Sequence, residues 1–95
     1  MIRMNENTMQ IQEYANHIKE EMIGRRYRHF KGGIYVVIDI AVHSETEDVL
    51  VVYKSFDVLN YTWCRPLSMF LSEVDHKKYP DVKQTTRFER IDDYD

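Results

Sequence analysis

"GGIYVVIDIAVHSETEDVLVVYK", residues 32–54, decides the fold. Two runs rich in β-branched residues flank the polar hexapeptide "HSETED". Side chains of a strand point alternately to its two faces. Ile34, Val36, Ile38, Ile40 and Val42 share one parity, while Tyr35, Val37, Asp39, Ala41 and His43 share the other. The alternation predicts a long strand with its aliphatic parity inward. "HSETED" reads as a turn whose Ser44 and Thr46 hydroxyls bond neighbouring amides, and "VLVVYK", Val49 to Lys54, as the returning strand of a hairpin.

Upstream, "YRHFKGG" (27–33) leads into that strand, and its glycine doublet supplies a bulge or a positive φ where the strand begins. The doublet lacks the length and the final Lys-Ser/Thr of a P-loop. Between Asn5 and Ile23 the apolar residues Met9, Ile11, Tyr14, Ala15, Ile18, Met22 and Ile23 recur three and four apart, which predicts an amphipathic helix over 5–23. Asn7 or Thr8 would cap its start and Gly24 would end it. Its apolar stripe must either close the core or pair with another subunit.

Downstream, "SFDVLNY" is a connection and "TWCRP" a short strand stopped by Pro66, with Arg65 held extended by the proline. "LSMFLSEV" fits one helical turn or a short strand. "HKKYPD" is a polar loop, "TTRFERI" a last strand offering Phe88 and Ile91 to the core, and "DDYD" (92–95) a frayed acidic tail. No repeat or linker divides residues 1–95, so one domain is expected. The fold class is mainly β (α+β): a small, strongly bent antiparallel sheet or SH3-like, partly open barrel of four to five strands, with one N-terminal amphipathic helix.

Composition narrows the function classes. Hydrophobic residues make up 43% and charged residues 31%, an ordinary globular balance. The net charge of -3 excludes binding of nucleic acid by bulk positive charge, so any polyanion needs a local patch. The single cysteine, Cys64, rules out an internal disulfide and a cysteine-based zinc site, and it fits a reducing, cytoplasmic setting. Residues 1–13 lack the cationic head and apolar run of a leader, and no stretch has the length of a membrane span, so no membrane partner is expected.

Four blocks, "YRHFKGGIYVV", "AVHSETEDVLVVYK", "TWCRPLSMF" and "VKQTTRFERI", occur in an order that resembles the bacterial family called domain of unknown function 1653. The resemblance runs from Tyr27 to Ile91. It implies a small standalone bacterial domain without an established biochemical role. The matching positions are Tyr27, His29, Lys31, Gly32, Gly33 and Tyr35, then His43, Ser44, Glu45 and Thr46, then Tyr53, then Trp63, Arg65, Pro66, Met69 and Phe70. Cys64 stands where the family pattern has an aliphatic residue, which argues against a catalytic cysteine. The helix lies outside the pattern, leaving it to packing or oligomerisation.

The chemistry-bearing residues form a short roster. In "HFKGG", Lys31 offers charge and His29 a switchable donor to an anion. Consecutive His43, Ser44 and Glu45 point in different directions and form no relay among themselves. His17, His29, His43 and His76 show no metal-ligand spacing, and no metal or cofactor is assigned. "WCRP" sets Trp63 and Arg65 on one face. Together they can stack a base or grip a phosphate, whereas separately Trp63 favours the core and Arg65 can pair with Asp39 or Glu45.

Tyr27, His29, Lys31, Tyr35, Asp39, His43 and Arg65 are expected to line one polar-aromatic face opposite the aliphatic core, unless the glycines shift the register. The candidate ligand-binding residues are therefore His29, Lys31, Tyr35, His43, Trp63 and Arg65, with no catalytic residue assigned. The leading expectation is a non-enzymatic binding or adaptor domain for an anionic small molecule, such as a nucleotide, or for nucleic acid. The alternative is a protein-interaction module or homodimer built through the helix, with no small ligand. A small hydrolase or isomerase using His29 or His43 with Glu45 is the third.

Overall fold

A computed structural model describes residues 5–56 and 61–91. Helix α1 spans Glu6–Met22. It is capped by Asn5, two residues before the expected position, because the Asn5 side chain accepts a 2.9 Å hydrogen bond from the Thr8 amide. At its far end Gly24 takes φ 84, and its amide donates to the Val37 carbonyl at 2.8 Å, so the helix exit is fastened to the sheet. The buried stripe is Ala15, Ile18 and Met22, narrower than the periodicity implied, since Met9, Tyr14 and Ile23 are exposed.

Five strands follow: β1 (Arg26–His29), β2 (Ile34–Val42), β3 (Val49–Ser55), β4 (Thr62–Pro66) and β5 (Phe88–Arg90). They form one antiparallel sheet in the order β4-β3-β2-β1-β5, which is not closed into a barrel. In the turn between β1 and β2, the Gly33 carbonyl accepts from the His29 amide at 3.1 Å, with Gly32 and Gly33 at φ 103 and 88. A side chain on Gly33 would also meet the Tyr35 ring at 3.3 Å, so this position needs glycine twice over. Between β2 and β3 the turn runs through Glu47 at φ 61.

The strand pattern corrects the alternation expected for β2. Val37 pairs with Tyr53 but Asp39 pairs with Val52, so Ile38 is the extra residue of a bulge. Tyr35 and Val37 face the core before the bulge, and Ile40 and Val42 after it. Ile38 is 39% exposed, and Ile34 and Val36 lie on the other face of the sheet. One inserted residue swaps the parity, and the predominantly apolar run on both sides hides the swap.

The segment after β4 is helical: α2, one turn from Leu67 to Phe70. It carries the chain from one sheet edge to the other. The Ser72 carbonyl accepts from the Arg87 amide at 2.8 Å and the Val74 amide donates to the Thr85 carbonyl at 2.9 Å, just ahead of β5. Phe70 stacks parallel on Phe88 with ring centroids 4.1 Å apart. Tyr53 of β3 also touches Phe88, at 5.5 Å. Two strands separate β3 from β5, which would put them roughly 14 Å apart in a flat sheet, so the sheet is strongly bent.

The core fills the concave side. Val37, Ile40, Val51 and Tyr53 come from the central strands, Tyr27 and Phe88 from β1 and β5, Ala15, Ile18 and Met22 from α1, and Leu67 and Phe70 from α2. Helix α1 thus closes the core. Part of the "SFDVLNY" connection (57–60) and the tail "DDYD" lie outside the described residues. Among the described residues no helix is long and apolar enough to cross a membrane.

Candidate functional site: a cationic, aromatic cleft at the open end of the core face

Directly paired residues of antiparallel strands put their side chains on the same face. His29 pairs with Phe88, Tyr53 with Trp63, and Val51 with Arg65. These side chains, with Tyr35, therefore belong to the same concave face as the core and extend it beyond the aliphatic part. There they line a cavity of about 310 Å³, together with Lys31 and Gly32 from the glycine turn. A second hollow of about 470 Å³ adjoins it. The two share His29, Lys31 and Arg65, and the second adds Phe30, Val74, Asp75, Lys78, Tyr79 and Arg87.

Four cations converge here, three of them on aromatic rings. The Arg65 guanidinium lies 5.8 Å from the Phe88 ring, Lys31 Nζ 5.2 Å from Tyr79 and 5.8 Å from Phe30, and Lys78 Nζ 5.5 Å from Tyr79. Arg87 Nε donates to Ser72 Oγ at 3.3 Å. Among the described residues the side-chain ion pairs are His17–Glu21 and Lys19–Asp39, so no carboxylate neutralises Lys31, Arg65, Lys78 or Arg87. Asp75, the one acid in the lining, accepts the amides of Lys77 and Lys78 at 3.1 and 3.3 Å.

His29 sits between the two hollows. Its Nδ1 accepts a 3.0 Å hydrogen bond from the Lys31 amide, which assigns the neutral ring's proton to Nε2. Burial pushes its pKa below the ordinary value, and the positive charges of Arg65, Arg87 and Lys31 push the same way. The ring is thus held neutral, as a donor. Across the second hollow, a hydrogen bond with Lys31 holds the Tyr79 phenol below its usual range.

Of the six candidates, His29, Lys31, Tyr35, Trp63 and Arg65 line the first cavity. His43 does not join them. It lines a separate hollow of about 320 Å³ beside the start of α1, and its Nδ1 accepts from the Glu45 and Thr46 amides at 3.0 and 3.2 Å. It fastens the turn in the way expected of Ser44, while Thr46 Oγ1 accepts from the Asp48 amide at 3.2 Å. Among the described residues no hydrogen bond joins Ser44 to His43. Asp39 also leaves the group, 3.9 Å from Lys19, and Tyr27 is buried in the core.

The bulge at Ile38 accounts for the separation, because it reverses which parity follows Tyr35 along the strand. The polar-aromatic face is consequently continuous with the core and not opposite it. Trp63 is 52% exposed rather than core, and Arg65 lies over Phe88 rather than beside Asp39 or Glu45. Among the described residues no three His, Cys, Asp or Glu side chains gather to hold a metal.

The lining residues that were not among the candidates include Tyr53, Phe88, Lys78, Tyr79 and Arg87. Tyr53 was detectable as the aromatic on the returning strand's inward parity. Lys78, Tyr79 and Arg87 arrive by long-range pairing, for which "KKY" and "RF" carried only a cation-aromatic hint.

The fold and cleft define a small open-sheet domain with one cationic, aromatic recess. Residues 25–90 match the family described as Protein of unknown function (DUF1653), and the chain belongs to that family. A search of curated proteins found no match. The crystal structure of a DUF1653 protein from Bordetella bronchiseptica is similar, at 26% sequence identity and a TM-score of 0.60, covering 76% of this chain and 90% of that one. The family match begins at Arg25, so α1 lies ahead of it.

Proposed function

We propose that this protein is a binding domain, not an enzyme, and that its cleft takes an anionic ligand: the phosphate of a nucleotide or of a nucleic acid. The observation that carries the reading is the convergence of Lys31, Arg65, Lys78 and Arg87 around neutral His29 with no ion pair to a carboxylate among the described residues. Unpaired cations in a recess are stabilised by an arriving anion, and charge-assisted hydrogen bonds from arginine and lysine are the strong ones. The rings beside them offer faces on which a planar base can stack. His29 supports binding over catalysis: its Nδ1 is committed to the Lys31 amide, so the neutral ring has no free lone pair with which to act as a general base. The exposed thiol of Cys64 suits a reducing, cytoplasmic setting.

A thermal-shift screen with nucleotides, short oligonucleotides and small anions tests the reading, repeated on Lys31→Ala and Arg65→Ala. A ligand that binds only the folded state raises the melting temperature in proportion to its occupancy. We expect at least one phosphate-bearing ligand to raise the wild type's Tm and to lose that effect on both variants. A protein unmoved by every anion at millimolar concentration, or variants shifted as much as wild type, would overturn it.

A second reading rests on a different observation. Met9 and Tyr14 on α1 and Ile23 at its C-cap are 50%, 51% and 41% exposed, apolar side chains outside the buried stripe that a homodimer would cover. Sedimentation of the wild type and of Tyr14→Lys decides it, because a monomer at high concentration removes that reading.

A further inference from the structure

Resting on the anion-binding reading, we propose that the ligand is a free nucleoside phosphate, held with its base in the aromatic half of the cleft and its phosphates in the cationic half. The lining is weighted in that way. Tyr35, Tyr53, Trp63 and Phe88 belong to the first hollow alone, and Lys78 and Arg87 to the second alone, where Phe30, Tyr79 and Asp75 accompany them. His29, Lys31 and Arg65 form the wall common to both. A molecule planar and apolar at one end and anionic at the other, with a polar linker lying along that wall, suits the two halves. A nucleoside phosphate has this order of parts: base, sugar, phosphate.

Two observations favour the free molecule over a polymer. The hollows, about 310 and 470 Å³, are of the size that small-molecule sites have. The positive charge is also confined. The chain carries 13 Lys and Arg against 16 Asp and Glu, and setting aside the cleft's four cations and Asp75 leaves nine against fifteen elsewhere. The rest of the chain is thus net acidic, whereas polymer binding draws its affinity from an excess of cations spaced along the backbone. Four cations in one recess match the charge of one or two phosphate groups.

The chain reports on its own site, because Trp63 is the single tryptophan and stands half-exposed in the aromatic half. Trp63 fluorescence and calorimetry are to be measured with purine and pyrimidine nucleosides, their 5′-mono- and diphosphates, pyrophosphate, and a ten-residue single-stranded oligonucleotide. At least one nucleoside phosphate is expected to quench Trp63 and to bind at least tenfold more tightly than either its nucleoside or pyrophosphate. By calorimetry Trp63→Leu should weaken that nucleotide roughly tenfold, the scale of one stacked base, while leaving pyrophosphate unchanged. Lys78→Ala, at an exposed position, should weaken the nucleotide and pyrophosphate but not the nucleoside.

Pyrophosphate binding as tightly as every nucleotide, with Trp63→Leu silent, would overturn the two-part ligand and leave the anion reading standing. An oligonucleotide binding tenfold more tightly than each of its mononucleotides would overturn the free-molecule assignment and also leave that reading standing. Absence of binding by any of these anions would remove both.

Discussion

Removing the ring of Phe70 should cost this domain a large share of its stability, because that ring joins the two ends of the sheet. Phe70 is fully buried. It stacks on Phe88 at 4.1 Å and meets Tyr27 and Tyr53 edge-on at 5.2 and 5.4 Å. Truncating a buried phenylalanine to alanine costs about 3 to 5 kcal/mol. Each well-placed aromatic pair adds about 0.5 to 1.5 kcal/mol beyond area burial, which puts Phe70→Ala near the top of that range, at about 4.5 kcal/mol. Domains of this length have about 5 to 14 kcal/mol in total, so the variant should lose from about a third to nearly all of its stability. With a urea slope of about 1.5 kcal/mol/M, the midpoint should fall by roughly 3 M at unchanged slope.

Two companions keep the measurement interpretable. Phe70→Leu preserves most of the volume and should cost about 1.5 kcal/mol. Met69→Ala, in the same helical turn but half-exposed, should stay under about 1 kcal/mol. A loss below about 2 kcal/mol for Phe70→Ala, or an equal loss at Met69, would refute the claim that α2 holds the sheet's two edges together.

Other outcomes follow from single positions. Because the His29 pKa is lowered from 6.5 in the folded state, the unfolded chain binds more protons below that pH. Stability should therefore decline as pH falls through about 6.5, and His29→Asn, which keeps an acceptor for the Lys31 amide, should flatten the decline in urea titrations between about pH 5.5 and 7.5. Equal slopes for the two proteins would count against it. At the bulge, Ile38→Thr should change stability by no more than about 0.5 kcal/mol and Ile40→Ala by about 2 to 4, whereas an uninterrupted alternation predicts similar losses at both. Gly33→Ala, at φ 88 and 3.3 Å from the Tyr35 ring, should cost about 1 to 3 kcal/mol by thermal melting and exceed Gly24→Ala, where nothing lies within 4 Å.

The parts of the fold that declare themselves in sequence are those with a local cause. The helix is visible in the three-and-four spacing of Ile11, Ala15, Ile18 and Met22, and the hairpin in two β-branched runs around "HSETED". The parity of β2 is not visible, since "IYVVIDIAV" is apolar at almost every position and Asp39 alone cannot place a bulge. The grouping of His29, Tyr35, Trp63 and Arg65 could be read because alternate residues on neighbouring strands share a face, whichever face that proves to be. Lys78 and Arg87 could not be read, because long-range bonds bring their loop beside the glycine turn: those of Ser72 and Val74 to the approach of β5, and that of the Phe30 amide to the Arg87 carbonyl. Trp63 defeats composition-based reasoning in the other direction: large aromatics belong inside on average, and this one stands at an open edge strand.

Because the cleft continues the core face, its floor and its rim differ in their freedom to change. Tyr53 and Phe88 line the recess and are also almost wholly buried in the core cluster, so exchanging either one disturbs folding at once. Lys31, Trp63 and Lys78 are exposed around the opening and carry little of the packing. If the recess binds as proposed, selection for a different ligand can work on the rim at small cost in stability, while the floor keeps the recess in the same place and at the same depth. Within a lineage of such domains, the site's location would be inherited with the fold and its selectivity would drift at the margin.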